Sequence, residues 1–271
     1  MGYELGRRAV LGLYALIIAV PLLIVVFGTL KTTQELFSAP LGPPADPTLD
    51  NVRTVVADGA LTVALRNSVI VTACVVVLTL ALASAAAYAF ARLRGALAVA
   101  AYAFVVAGLA VPVQASMVPQ FVLFDLLGLT DSLVGLVIVQ TVVGLPVAVF
   151  ILTGFMRTLP RELFEAAEVD GAGPWRVFRS IVLPLSTPSL SAAAIFLLVI
   201  SWNDLLYPLL FITDPAKRTL PLALLGFTGE YLTDYPLLFT GVVVASLPLA
   251  LAYVLLQRWF VAGLTAGSVK G

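Results

Sequence analysis

Six long apolar runs alternate with shorter polar stretches along the chain, at about 9–30, 67–91, 97–118, 133–156, 189–211 and 237–261. Each supplies the roughly 20 apolar residues that a helix needs to cross a hydrocarbon core of about 30 Å. In lipid every backbone N–H and C=O must be bonded within its own segment, so runs of this length predict helices. The pattern predicts an all-α integral membrane protein, a six-transmembrane-helix bundle spanning 9–261. Residues 1–8 and 262–271 are its short terminal segments. Arg7-Arg8 before the first run resembles the start of a signal peptide. The run is long for such a segment, however, and no small-x-small cleavage site closely follows, so it is read as a retained span.

The polar stretches differ in kind. Residues 31–66 carry Pro40, Pro43, Pro44 and Pro47, which exclude one continuous helix. They predict a loop with a short helix reaching Asp58. The second span ends in small residues, Ala81, Ala83, Ser84, Ala85, Ala86, Ala87 and Ala89, which let helix backbones approach closely in lipid. Pro112 interrupts the third span. Gly135, Gly144 and Pro146 lie inside the fourth, where neighbouring helices or cavities must satisfy any freed backbone group.

Composition agrees with this reading. Hydrophobic residues make up 61% of the 271 and charged residues 11%, against about 45–50% and about 25% in soluble domains. There is no histidine and one cysteine, Cys74. That excludes an internal disulfide and a cysteine metal cluster, and it removes the commonest general base. No metal site and no catalytic residue is predicted. The chain has no G-x-x-x-x-G-K-[ST], so it is not expected to bind ATP itself. Net charge is zero and points to no nucleic-acid partner. Its distribution is informative. With the N-terminus inside, inner segments hold ten of the 15 Lys and Arg residues and outer segments five. The positive-inside rule then places both termini and the 157–187 connection in the cytoplasm of a multi-pass cell-membrane protein.

That connection is the most charged part of the chain, with four acids and four arginines between Arg157 and Arg179. It predicts a short helix opened by Pro160, a turn at Gly171, and a second helix opened by Pro174. Glu162, Glu165 and Glu168 recur every three residues as an acidic stripe. Gly171 is the expected left-handed residue closing the first helix. Trp175, Phe178, Ile181 and Val182 fall on one face of the second, and Leu183-Pro184 stops it. Read from the residues alone, this is an amphipathic helix-turn-helix lying at the membrane surface.

Glu165-Ala166-Ala167, Gly171 after three intervening residues, and Ile181-x-Leu183-Pro184 after a nine-residue gap resemble the EAA loop of bacterial ABC importer membrane subunits. Asp170, Ala172 and Phe178 also match. Trp202-Asn203-Asp204, Thr219-Leu220-Pro221 and the ending from Gln257 to Gly271 extend the likeness to nearly the whole chain. They are similar to the carbohydrate-uptake group, and within it to the shorter membrane subunit of maltose-type importers. The resemblance implies a permease forming half of a translocation path for a sugar or oligosaccharide. Its partners would be a second, different permease, two cytosolic ATP-binding subunits and an extracytoplasmic solute-binding protein. ATP and Mg would sit on the ATPase subunits, leaving no cofactor on this chain. The resemblance also implies that Glu165, Ala166, Ala167, Asp170, Gly171, Phe178, Ile181 and Pro184 couple to the ATPase. Gly267 and Lys270 belong to a tail that would reach between the ATPase subunits.

Several membrane-embedded polar residues remain. At about 1.5 Å per residue, Asp204 lies in the outer third of the bilayer. It and Asn203 either line the substrate path or bond a neighbouring helix, since an ionisable group at that depth avoids lipid. Gln114 and Gln140 are further path candidates. Trp202, Tyr207 and Tyr231 are either sugar-stacking or interfacial aromatics. An importer for a glycerophosphate or another small polar solute is the alternative reading. A self-contained secondary transporter fits less well, because such proteins carry coupling acids near the bilayer centre and internal repeats, and this chain shows one candidate acid and no clear repeat.

Overall fold

The computed structural model describes residues 2–57, 59–228 and 233–266. Its regular elements are helices, with one isolated bridge between Thr228 and Thr233. In order they are α1 (Gly2–Thr29), α2 (Thr33–Ser38), α3 (Asp50–Ala57), α4 (Ala60–Arg92), α5 (Ala96–Ala107), α6 (Val113–Leu126), α7 (Leu133–Met156), α8 (Arg161–Val169), α9 (Pro174–Val177), α10 (Leu183–Leu185), α11 (Thr187–Trp202), α12 (Leu206–Phe211), α13 (Leu220–Leu224) and α14 (Tyr235–Ala266). Four segments, Gly6–Thr29, Ala60–Arg92, Leu133–Met156 and Tyr235–Val254, are long and apolar enough to cross a membrane. Counting each of two bent helix pairs, Ala96–Ala110 with Val113–Leu126 and Pro174–Leu185 with Thr187–Trp202, as one span raises the number to six.

The chain divides into two compact units. The first comprises residues 1–65 and 219–248. Its proline-rich loop is tied by side chains rather than by backbone ladders. Buried Lys31 donates from Nζ to the carbonyls of Ala39 (2.6 Å) and Gly42 (2.7 Å). Asn51 Nδ2 donates to the carbonyls of Thr29 and Lys31, both at 2.9 Å. Thr32 caps α2, accepting from the Glu35 N–H at 3.2 Å. Four prolines remove donors that a helix would need, and these side chains supply bonds in their place.

The second unit comprises residues 66–218 and 249–271. Its core joins the small-residue half of α4 (Ala83, Ala87) to α7 (Ala148, Val149, Leu152, Met156) and α11 (Ala193, Leu197). Ala83, Ala87 and Ala193 are wholly buried, the close approach that small residues permit. Gly144 of α7 belongs to the same contact. A Cβ there would lie 2.9 Å from Leu197 Cδ2 and 3.5 Å from Thr79 Cγ2.

Two expected spans are broken. The 97–118 run divides into α5 and α6, which meet at 103° after a 3-10 turn at Gly108–Ala110. Pro112 accounts for the break: it lacks an N–H and holds Val111 extended (φ −82°, ψ 119°). The 189–211 run divides into α11 and α12, with Asn203, Asp204 and Leu205 between them.

Candidate coupling loop and membrane cavity

The 157–187 connection folds back onto the core of the second unit. Phe164 and Ala167 of α8 and Val177 of α9 are buried in the cluster formed by α4, α7 and α11, together with Val182. Burying each large apolar side chain contributes roughly 1.5–3 kcal/mol. Phe178 is also buried, its ring 5.3 Å from that of Tyr88 on α4. At the end of α4, Arg92 stands 4.2 Å over the Phe164 ring and pairs with Glu168 at 2.8 Å. Residues 178–182 form a π-helical turn, which lets α9 run into α10 with one residue more per turn.

Gly171 joins the two halves of the loop. It lies at φ +73°, with its N–H donating to the Glu168 carbonyl (3.1 Å) and that of Ala172 to the Ala167 carbonyl (2.9 Å). This is the left-handed helix ending that glycine adopts without penalty. No atom lies within 4 Å of where a Cβ would stand, so backbone conformation, not crowding, demands glycine here.

The predicted coupling residues therefore separate. Glu165, Ala166, Asp170, Gly171 and Pro184 are exposed, Ile181 is half-buried, and Ala167 and Phe178 face this chain's own helices. Two exposed apolar residues join the outer surface: Val169, 89% exposed, and Trp175, 69% exposed. Trp175 flanks Phe178, ring to ring at 5.3 Å, but lies on its open side. Sequence reasoning put Trp175 on one face with Phe178, Ile181 and Val182, and the structure separates it from the buried Phe178 and Val182. The i, i+3 pair Phe164 and Ala167 was the available signal for the inner side of α8, and it puts Val169 outside. Gly267, Lys270 and Tyr231 lie outside the described residues.

The break between α11 and α12 borders a cavity of about 370 Å³. Its polar lining is Gln114, Gln140, Ser201, Asp204 and Tyr207, and the rest is apolar. Asp204 accepts from the N–H groups of Leu206 (3.1 Å) and Tyr207 (3.4 Å), closing the start of α12. Its other oxygen accepts from Gln140 Nε2 at 2.7 Å. Gln140 Oε1 accepts from Ser201 Oγ at 2.6 Å, and Thr72 Oγ1 lies 3.4 Å beyond. The Tyr207 hydroxyl donates to Gln120 at 2.6 Å. A buried acid in an apolar setting needs such partners. Asn203, adjacent in sequence, is not part of this lining. It is exposed and donates to the Val199 carbonyl at 2.8 Å.

A third polar cluster went unrecognised in the sequence. Asp131, at φ +48°, accepts on one oxygen from the N–H groups of Thr213 (3.0 Å) and Asp214 (2.9 Å). Lys217 Nζ donates to its other oxygen (2.8 Å) and to its carbonyl (2.9 Å). These bonds, led by the Asp214 N–H and followed by Lys217, hold the Asp131 carboxyl far below the usual carboxylate range. The bond to Asp131 raises the Lys217 ammonium above its ordinary value. The residues are 80 or more positions apart, and nothing in their spacing announces the pairing.

Apolar helices sharing a core with a charged, anchored surface loop, and a polar cavity at a broken helix, define a membrane transport subunit. Residues 78–266 match the family described as "binding-protein-dependent transport system inner membrane component", and the chain belongs to it. Over 265 residues it is 33% identical to the diacetylchitobiose uptake system permease protein of Streptomyces coelicolor, covering 97% of this chain and 88% of that one. It is 32% identical over 253 residues to the melibiose/raffinose/stachyose import permease protein of Bacillus subtilis, covering 93% and 91%. A crystal structure of a bacterial ABC transporter that imports the acidic polysaccharide alginate contains a chain with the same fold. The TM-score is 0.85 at 18% identity, covering 95% of this chain and 96% of that one.

Proposed function

We propose that this permease is one half of the translocation path of an ATP-driven importer for a sugar or oligosaccharide. It works with a second, different permease, two cytosolic ATPase subunits that carry ATP and Mg, and an extracytoplasmic binding protein. The bundle has six spans and both termini in the cytoplasm. The observation that carries this reading is the two-sided loop at 157–187. Its inner side (Phe164, Ala167, Val177, Phe178, Val182) is set in or against the helix core. Its outer side (Glu165, Ala166, Val169, Asp170, Trp175) is open.

In this reading the outer side docks on an ATPase subunit. Glu165 offers charge-assisted bonds to basic groups there, and Val169 and Trp175 fill apolar recesses. When the ATPase pair closes on ATP, the docked loop moves. Its buried side cannot slip in a close-packed core, so α4, α7 and α11 move with it. The cavity beside Asp204 and Gln140 lies on the solute path, where amide and carboxylate groups suit hydroxyl-rich ligands. No Lys or Arg lines it, so a phosphate ester would lack a counter-charge there. This favours a sugar over a glycerophosphate.

The test is reconstitution of the assembled importer in vesicles. Uptake of a labelled neutral oligosaccharide should require ATP, the ATPase subunits and the binding protein. Uptake by the permeases alone, driven by an ion gradient, would refute the proposal and leave a secondary transporter.

A further inference from the structure

Beside the coupling loop lies a second cavity, of about 830 Å³, and the transport reading uses only Glu165 of its charged lining. Arg92 and Arg94 after α4, Arg157 after α7 and Arg161 at the start of α8 line it, with Glu165 and Glu168. Four arginines against two glutamates leave a surplus of two positive charges. Two of the arginines are held by this chain. Arg92 is paired with Glu168 and stacked on Phe164, and Arg157 stands 4.6 Å over the Tyr102 ring with the Phe90 carbonyl at 3.5 Å. Arg94 and Arg161 have no ion pair or side-chain hydrogen bond among the described residues and are exposed.

The cavity lies where α4 and α7 end and α5 begins, so it sits at the level where membrane-crossing helices leave the hydrocarbon. Leu93 brings an apolar side chain into its lining, and α5 begins two residues after Arg94. Leu93 is 62% exposed, Leu97 84% and Phe104 82%, and α5 buries no residue. A cationic recess beside such residues matches a molecule with an anionic head and an apolar tail. A soluble anion would use the arginines alone and leave Leu93, Leu97 and Phe104 without a role. An acidic protein segment would leave the exposed apolar residues of α5 unused.

We infer that this recess binds the phosphate headgroup of an anionic membrane phospholipid, with its acyl chains along α5. Arg94 and Arg161 form the charge contacts, and Arg92 and Arg157 form fixed walls. The lipid thereby bridges the turn after α4 to the first helix of the coupling loop. The site shares Glu165 with the outer side of the loop, but its charge contacts, Arg94 and Arg161, are not among the residues assigned to ATPase docking, and it does not depend on which solute is carried.

Native mass spectrometry on the purified importer, delipidated and then exchanged into phosphatidylcholine with added phosphatidylglycerol, tests this. The expected result is a retained phosphatidylglycerol. A basic side chain near a membrane surface contributes roughly fivefold to anionic-lipid binding, so Arg94→Gln with Arg161→Gln should weaken retention by about twenty-five-fold. Arg94→Lys with Arg161→Lys should preserve most of it, which separates loss of charge from misfolding. Arg53→Gln, on exposed α3, should change nothing. Equal retention by the Gln pair would overturn the inference. So would displacement of the lipid by inorganic phosphate, which would make this a soluble-anion site. Loss of the ATPase subunits from the Gln pair with no change in lipid would overturn it in favour of a protein contact.

Discussion

Gly171 offers the sharpest test of the coupling loop, because its surroundings separate two causes that usually coincide. At φ +73° an L-residue is strained, yet a Cβ there meets no atom within 4 Å. Substitution therefore carries a conformational cost and no steric one. For alanine that cost is about 1–2 kcal/mol. Asparagine, the second choice at this helix position, should cost less. Valine, branched at Cβ, should cost more. The loop cannot relieve the strain by swinging out, because Phe164 and Ala167 on one side and Val177 and Phe178 on the other are buried. Either the residue stays left-handed or the angle between α8 and α9 changes. A bias of about 1.4 kcal/mol is tenfold in an equilibrium. Gly171→Ala should therefore lower uptake per ATP hydrolysed by up to about tenfold, with Gly171→Asn near wild type and Gly171→Val worst. The assay is paired measurement of ATP hydrolysis and sugar uptake in reconstituted vesicles, with membrane insertion checked by surface labelling. Normal uptake in all three variants would remove the coupling role. A ranking in which Asn fails as badly as Val would show that the open space is filled on assembly, and the strain account would then be wrong.

Phe178→Ala should destabilise the purified chain by about 3 kcal/mol, read as a lowered thermal midpoint in detergent, since it empties a buried ring site. Trp175→Ala should leave that midpoint unchanged within about 0.5 kcal/mol while reducing ATPase-subunit co-purification roughly thirtyfold, the loss expected of an interface anchor. Asp204→Asn keeps an acceptor for the Leu206 and Tyr207 N–H groups and should retain assembly. Asp204→Ala orphans those donors and Gln140, costing about 1–3 kcal/mol, and assembly yield on size exclusion should fall. The depressed Asp131 carboxyl contributes stability that is present above its ordinary value of 3.8 and fades as pH falls through that value toward its lower folded one. Raised Lys217 contributes below 10.5 and loses its contribution as pH rises past its folded value. The cluster should thus hold constant across neutral pH. Hydrogen-exchange protection at Thr213 and Asp214, taken relative to the intrinsic base-catalysed rate, should fall only at the acid and alkaline extremes, and a fall near pH 6 would refute the assignment.

The apolar periodicity made the helical class legible, because length and hydrophobicity alone decide which segments tolerate lipid. Gly171 was legible for a related reason: a residue three positions past Glu168, closing a short polar helix, leaves few conformations open. The orientation of Trp175 was not legible. Over a helix as short as α9 and its π turn, a 3.6-residue period cannot separate Trp175 from Phe178, and the extra residue per turn shifts the buried face onto Val177 and Val182. The split of the third span was only half legible. Pro112 marked the place, but a kink within one helix and a 103° turn between two helices share that residue. The Asp131 cluster was invisible because its partners meet through tertiary structure alone.

One helix connects the two candidate functional regions. α11 has 16 residues, so it is about 24 Å long. It begins two residues after α10 ends the loop, at a 74° bend, and ends two residues before Asp204. Between those ends Ala193 and Leu197 are buried against α4 and α7, so the helix cannot bend or rotate without its neighbours. A displacement imposed on the loop therefore arrives at the Trp202–Leu205 break as rigid motion of its last turn. There it meets bonds that a small shift can break, Ser201 to Gln140 at 2.6 Å and Gln140 to Asp204 at 2.7 Å. Hydrogen bonds weaken steeply with angle as well as distance, whereas apolar contacts have no preferred direction. Polar residues at the far end of a rigid rod are thus better placed than apolar ones to turn a small movement into opening or closing of the cavity. Breaking the helix at Asn203 confines that change to α12 and leaves the packed length of α11 intact.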